Sequence, residues 1–544
     1  MRARKIELFL CCLLAAACAQ AADRTASDFH GSIPLFQTSD RCLACHNGLT
    51  TSSGEDVSIG LDWRSSLMAN SARDPYWQAS VRRESIDHPE SQAAIEDECA
   101  SCHMPMARYQ AKTQGAKGQV FSHLVAEPTA PGRHEALDGV SCSLCHQISA
   151  EKLGRPETFN GQFIIATPPA GQLRPEFGPF DIDAGLQRIM RSSSGGFAPT
   201  RADHIRQSEL CASCHTLRTN ALGPDGRIVG ALPEQMPYQE WLHSSYVNER
   251  SCQSCHMPVI AEPVAISRVL GEPRNGMSRH VFVGGNFFMQ RMLGQYREEL
   301  GVVAQPVELT AAANRTIEHL KSSAAKVSIE RATLHSGKLD VRVQVQNLGG
   351  HRLPTAYPSR RVWLHVRVTD AAHGKVFESG ALNSDGSIQG NDNDRDATQF
   401  EPHYQVIRSA EQVQIYESVL SDSSAHVTTG LLNAVGYLKD NRLLPRGFDK
   451  TTAAPEIAVL GEAASDPGFN DAGHAVTYSI DIPQSGTQLQ IDVELLYQPV
   501  GYRWAHNLAP YDAPEPRRFV SWFDSMKSGS AVALAVANAT VRSN

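Results

Sequence analysis

Ten of the thirteen cysteines fall into five pairs, each pair separated by two residues and each followed at once by histidine. They are Cys42, Cys45 and His46 in CLACH; Cys99, Cys102 and His103 in CASCH; Cys142, Cys145 and His146 in CSLCH; Cys211, Cys214 and His215 in a second CASCH; and Cys252, Cys255 and His256 in CQSCH. Thiols and imidazoles at this spacing suit three chemistries. A zinc site often uses two Cys-x-x-Cys pairs but has no need of a histidine directly after each. A thioredoxin-like dithiol occurs once, near a βαβ pattern. A disulfide framework belongs to small secreted domains, and this chain has 544 residues.

Five copies of one motif fit a fourth chemistry better. Cys-x-x-Cys-His is the spacing of covalent c-type haem attachment. The two thiols add to the two vinyl groups of one porphyrin, and the histidine that follows lies under the iron as its proximal ligand. The motifs therefore predict five haem c groups, with His46, His103, His146, His215 and His256 proximal.

Each iron then wants a ligand on its other face, and the identity of that ligand sets its potential and whether it passes electrons or binds substrate. Seven histidines lie outside the motifs between residues 23 and 300: His30, His88, His123, His134, His204, His243 and His280. Five of them precede a motif by two to three helical turns, a placement that favours reaching a neighbouring haem over the motif's own. The expected distal set is His88, His123, His204, His243 and His280, with His30 and His134 in reserve. Met104, Met106 and Met257 follow proximal histidines directly and read as packing groups at the porphyrin edge, and Met68 is a less constrained alternative ligand. His351, in NLGGHRLP, is read either as reaching back to a haem or as packing between domains.

The elements that must position these groups change character along the chain. Residues 1–22, with a basic start, a short apolar run and small residues, read as a signal peptide. Cleavage after AQA at Ala19–Ala21 or lipidation at Cys18 are the alternatives. Residues 23–300 carry all five motifs among short helical pieces rich in glycine, proline and serine, and residues 301–324 form a helical connector. From 325 to 505 apolar and polar residues alternate in KLDVRVQVQNL, RVWLHVRVTD and LQIDVELLYQ, the period of half-buried strands, giving an antiparallel β-sandwich of immunoglobulin-like type. Residues 506–544 are read as a helix and tail. The acidic stretch Ser384–Asp396 is a solvated turn or, less favourably, a calcium loop without the EF-hand pattern. The fold class is thus α+β and multidomain.

The phrases IEDECASCHMPM, DGVSCSLCHQI, SELCASCHTL, SCQSCHMP and NLGGHRLPTAYPSRRVWLHV together resemble the bacterial multihaem cytochrome c family with a C-terminal β-domain. That resemblance implies stacked bis-histidine haems and electron transfer at the periplasm or the outer surface. The partners expected are redox proteins, either a quinol-linked donor or a terminal reductase or oxidase. A net charge of −8 gives no basic footprint for nucleic acid, and membrane contact is expected only through a lipid anchor or a partner. The competing function is a multihaem oxidoreductase with one open iron acting on nitrite or hydroxylamine. That reading is disfavoured by a histidine supply exceeding demand.

Overall fold

The computed structural model describes residues 34–124, 130–169, 172–482 and 488–542. The predicted signal peptide and His30 lie outside them. Among the described residues, no helix is long and apolar enough to cross a membrane.

The haem-motif half is built from short helices and loops. Its longest helices are Pro75–Asp87 and Gln92–His103, the second ending in the CASCH motif. The first begins where it does because Asp74 accepts from the backbone N–H of Tyr76 and Trp77, with Pro75 supplying a preset first turn. The third and fifth motifs lie on the one-turn helices Cys142–Cys145 and Cys252–His256, whereas the first and fourth only begin in Ser39–Leu43 and Ser208–Ala212, which end before Cys45 and Cys214. A helix places residues three apart on one face, so in the second, third and fifth motifs both thiols project the same way.

The connector forms the helix Pro306–Ser323, started by a capping box between Gln305 and Glu308. Beyond it two main sheets share one core. In one, the strand Lys338–Asn347 lies between Ala325–His335 and Gly473–Asp481. In the other, Arg361–Asp370 pairs with Gly374–Ser379 on one side and with Gln488–Gln498 on the other. The alternation read in the sequence is the inward set: Leu339, Val341, Val343 and Val345 face Val362, Leu364, Val366 and Val368 in the common core, all fully buried.

The C-terminal segment departs from a helix and tail. The helix Pro514–Met526 is present, but the chain then returns as the strand Val532–Arg542 along Gln488–Gln498. In VALAVANATVR the alanines take every second position, Ala533 to Ala539, while Val532, Leu534 and Val536 take the positions between, so its first half lacks the apolar–polar contrast that marks a strand in sequence. The acidic stretch is consumed internally: Asp394 is buried against Arg361 at 2.8 Å, and Asp385 accepts from the Ser387 hydroxyl. It behaves as a turn.

The two halves interlock. The helix Pro514–Met526 packs on Pro75–Asp87, with Arg82 bonded to Glu515 at 2.8 Å. The buried Glu84 carboxylate accepts from the backbone N–H of Leu431 in the β-half. The Leu222 N–H donates to Leu432 O at 2.6 Å.

Candidate functional site

Four of the five proximal histidines are oriented by the same device. Their Nδ1–H donates to a backbone carbonyl distant in sequence: His46 to Ile266 at 2.5 Å, His103 to Ser71 at 2.9 Å, His146 to Phe177 at 2.5 Å and His256 to Val283 at 2.5 Å. This fixes the tautomer and leaves the Nε2 lone pair free, which is how metal-binding histidines are held. Burial pushes the basicity of His103 and His256 down to about 4, so both stay neutral, the form that binds metal. Trp77 stacks on His103 with ring centres 4.3 Å and planes 3° apart, locking its rotation. Among the described residues, His215 makes no such carbonyl bond.

Thiols of the five motifs are shifted in both directions. None of the ten is in a disulfide. Burial drives Cys145 up to about 12 and Cys99 well above the usual thiol range. Three thiols go the other way through hydrogen bonds from a thiol of another motif: Cys252 down to about 7 beside Cys211, and Cys42 and Cys102 lowered by Cys142 and Cys214.

The motifs touch one another. The thiol of Cys42 meets that of Cys142, Cys102 meets Cys214, and Cys211 meets Cys252, each pair in side-chain hydrogen-bond contact. Cys145 lies close enough to raise both Cys211 and Cys214 through its charge. In space the motifs therefore run first, third, fourth, and the fourth also meets the second and the fifth. Sequence order is not spatial order.

Imidazoles face two of the proximal histidines. Two histidines bound through one nitrogen each to opposite faces of a metal at about 2 Å have ring centres roughly 6.3 Å apart. His146 and His280 are 6.4 Å apart with planes at 19°. His256 has two such neighbours, His351 at 6.1 Å and 9°, and His319 at 6.2 Å and 57°. Among the described residues, no second imidazole pairs in this way with His46, His103 or His215.

The other histidines singled out in the sequence are placed differently. His88 is buried at the end of the helix Pro75–Asp87 with its Nε2 unpartnered, and His123 has an unpartnered Nδ1; both are free to ligate but neither ring faces a proximal one. His204 Nε2 donates to Ile148 O at 2.8 Å and His243 Nε2 to Asp449 O at 2.8 Å, which leaves Nδ1 as the free nitrogen in each. His134 is exposed. Met104 and Met106 are fully buried in apolar clusters, Met106 against Ser143. Of the two glycines after His280, Gly284 has open space around it, and Gly285 abuts the Tyr497 hydroxyl, where a Cβ would come within 2.5 Å.

His319 was not singled out by sequence, having no motif around it. Neither was a buried group in the β-half, where His403 and His474 lie 3.0 and 3.2 Å from the same oxygen of Asp466. This trio has the composition of a metal site, but at His403 the hydrogen bonds run the other way. Asn441 Oδ1 accepts from Glu417 N–H at 3.0 Å, so its Nδ2 is the atom that reaches Ile415 O at 2.9 Å and His403 Nδ1 at 3.2 Å. His403 Nδ1 is thus an acceptor, and its proton sits on Nε2, donated to Asp466. A ligating histidine would donate from the outer nitrogen. His403 and Asp466 are thus a hydrogen-bonded pair, while His474 has Nδ1 on the Tyr416 hydroxyl at 2.9 Å and a buried Nε2 left without a hydrogen bond among the described residues.

The paired imidazoles, free Nε2 atoms and adjacent thiol pairs fit haem c, and the fold is that of a multihaem cytochrome. The chain matches the crystal structure of a penta-haem cytochrome c552 from Thermochromatium tepidum, with a TM-score of 0.51 and 15% identity, over 93% of this chain and 99% of that one. No family model and no curated protein matches the sequence.

Proposed function

We propose that the chain is an exported multihaem c-type cytochrome that carries electrons between redox protein partners, with five haem c groups held by the five Cys-x-x-Cys-His motifs. The observation that carries this reading is the pairing of His146 with His280 at iron-bridging distance, each ring with its Nδ1 on a backbone carbonyl. Haem c, when bound, supplies a one-electron iron couple whose potential follows from axial ligation and burial. The protein's part is to hold neutral imidazoles in fixed orientation, to anchor the ring edges through paired cysteines, and to keep successive motifs in contact. The experiment is a mass of the denatured, exported protein together with a spectroscopic redox titration. Five haem additions and reversible one-electron steps support the reading, and fewer additions or a metal other than iron overturn it.

A second reading, an oxidoreductase acting on a small nitrogen compound, keeps one observation in its favour. His215 has neither a carbonyl bond nor a facing imidazole among the described residues. Its basicity is lowered first by burial and then by the charge of Arg360, a group suited to an anion. A high-spin ferric signal that shifts on adding nitrite or hydroxylamine supports this reading; exclusively low-spin iron removes it.

A further inference from the structure

We infer that His351, from the β-domain, is the sixth ligand of the metal held by His256, so that the two domains are joined through that metal. The inference rests on the haem reading above and assigns one ligand within it. Three observations carry it. The His351 ring lies 6.1 Å from that of His256 with planes 9° apart. Its Nδ1–H donates to Arg352 O at 2.9 Å, the same orienting device found at the proximal histidines and at His280, which leaves Nε2 for a metal. Its loop is clamped from both sides.

On the β-side, Asn347 Nδ2 donates to His351 O at 2.7 Å, and Leu353 N–H to Leu443 O at 3.0 Å. On the haem-motif side, Arg352 N–H donates to Glu240 Oε2 at 3.2 Å and the Tyr246 hydroxyl to Leu348 O at 2.8 Å. Gly350 is pressed on this wall: a Cβ there would meet Tyr246 Cγ at 3.2 Å and Trp241 Cδ1 at 3.4 Å. A loop held this closely pre-positions its imidazole. His319 is equally near His256, but among the described residues nothing hydrogen-bonds its ring, and its plane is crossed at 57°.

The test uses electron paramagnetic resonance of the purified, fully loaded protein, because near-parallel imidazole planes give a rhombic low-spin signal and crossed planes a single large-g feature. His319→Gln should leave all signals unchanged. His319→Gln with His351→Gly should convert one iron in five to high-spin, and added imidazole should return it to low-spin. Where the double variant does not fold, His351→Met serves. One component of the redox titration should move to higher potential while the other four stay, as thioether ligation does. A high-spin iron in His319→Gln alone overturns the assignment. So does an unchanged spectrum in the double variant, or an unchanged titration in His351→Met. A denatured mass lacking five haems would instead count against the haem reading itself.

Discussion

His146 and His280 face each other with ring centres 6.4 Å apart and planes 19° apart, and both rings are held at Nδ1 by backbone carbonyls, Phe177 and Ser278. Replacing His280 with methionine keeps a ligand at this place but changes its softness. One component of the redox titration should rise by a sizeable part of the roughly 0.8 V that axial ligands span. His280→Gly should give one high-spin iron instead. A titration and spectrum identical to the parent protein would show that His280 binds no metal.

The fourth motif touches the third, the second and the fifth through its own cysteines, Cys211 and Cys214. Changing both to alanine should remove the middle of the array. After flash injection of about one electron per protein into the oxidised variant, electron equilibration between the haems on motifs one and three and those on two and five should slow markedly. Equilibration at the parent rate would mean that the order of contacts is not the route.

How much of this was readable beforehand follows the range of the physics involved. The thioether anchors are local: two cysteines and a histidine within five residues define each one, and the strands of the β-half are local as alternation. The partner of a proximal histidine is set by tertiary packing, so His280 could be nominated but not matched to His146. His351 could be noticed but not weighed. His319 carries no local mark, because a histidine near the end of the amphipathic helix Pro306–Ser323 looks like any surface residue. The Val532–Arg542 strand escaped because Val532, Leu534 and Val536, which alternate with the alanines, make its first half apolar at every position.

Asp440 is buried between two guanidiniums, Arg352 at 2.5 Å and Arg442 at 2.7 Å, and Arg442 also reaches Glu240 at 2.9 Å across the domain boundary. Asp440→Asn leaves two positive charges with one buried carboxylate. The expected loss is about 3–5 kcal/mol, the cost of stranding a buried charge. Denaturant unfolding of the loaded protein, followed by near-ultraviolet dichroism, checks it. A shift below about 1 kcal/mol, the range of surface pairs, would mean that water reaches this network.

His403 supplies a pH dependence remote from the haem motifs. Burial, then the neighbouring His474, push its basicity down to about 3, against support from Asp466 and further opposition from Lys439. An unfolded histidine takes up its proton near pH 6.5. Between about pH 6.5 and 3 the unfolded chain therefore binds a proton that the folded one refuses, and stability falls as pH falls, by at most about 1.4 kcal/mol for each unit. His403→Gln can keep a donor toward Asp466 and an acceptor for Asn441 while removing the titration. Hydrogen exchange on the strand Gly473–Asp481, which carries His474, is the local reporter. Protection there should decline less steeply from pH 7 to pH 4 in the variant than in the parent, with His474, also lowered by burial, supplying the slope that remains. Equal slopes in the two proteins would show that His403 is already charged in the folded state, with Asp466 as its counter-ion.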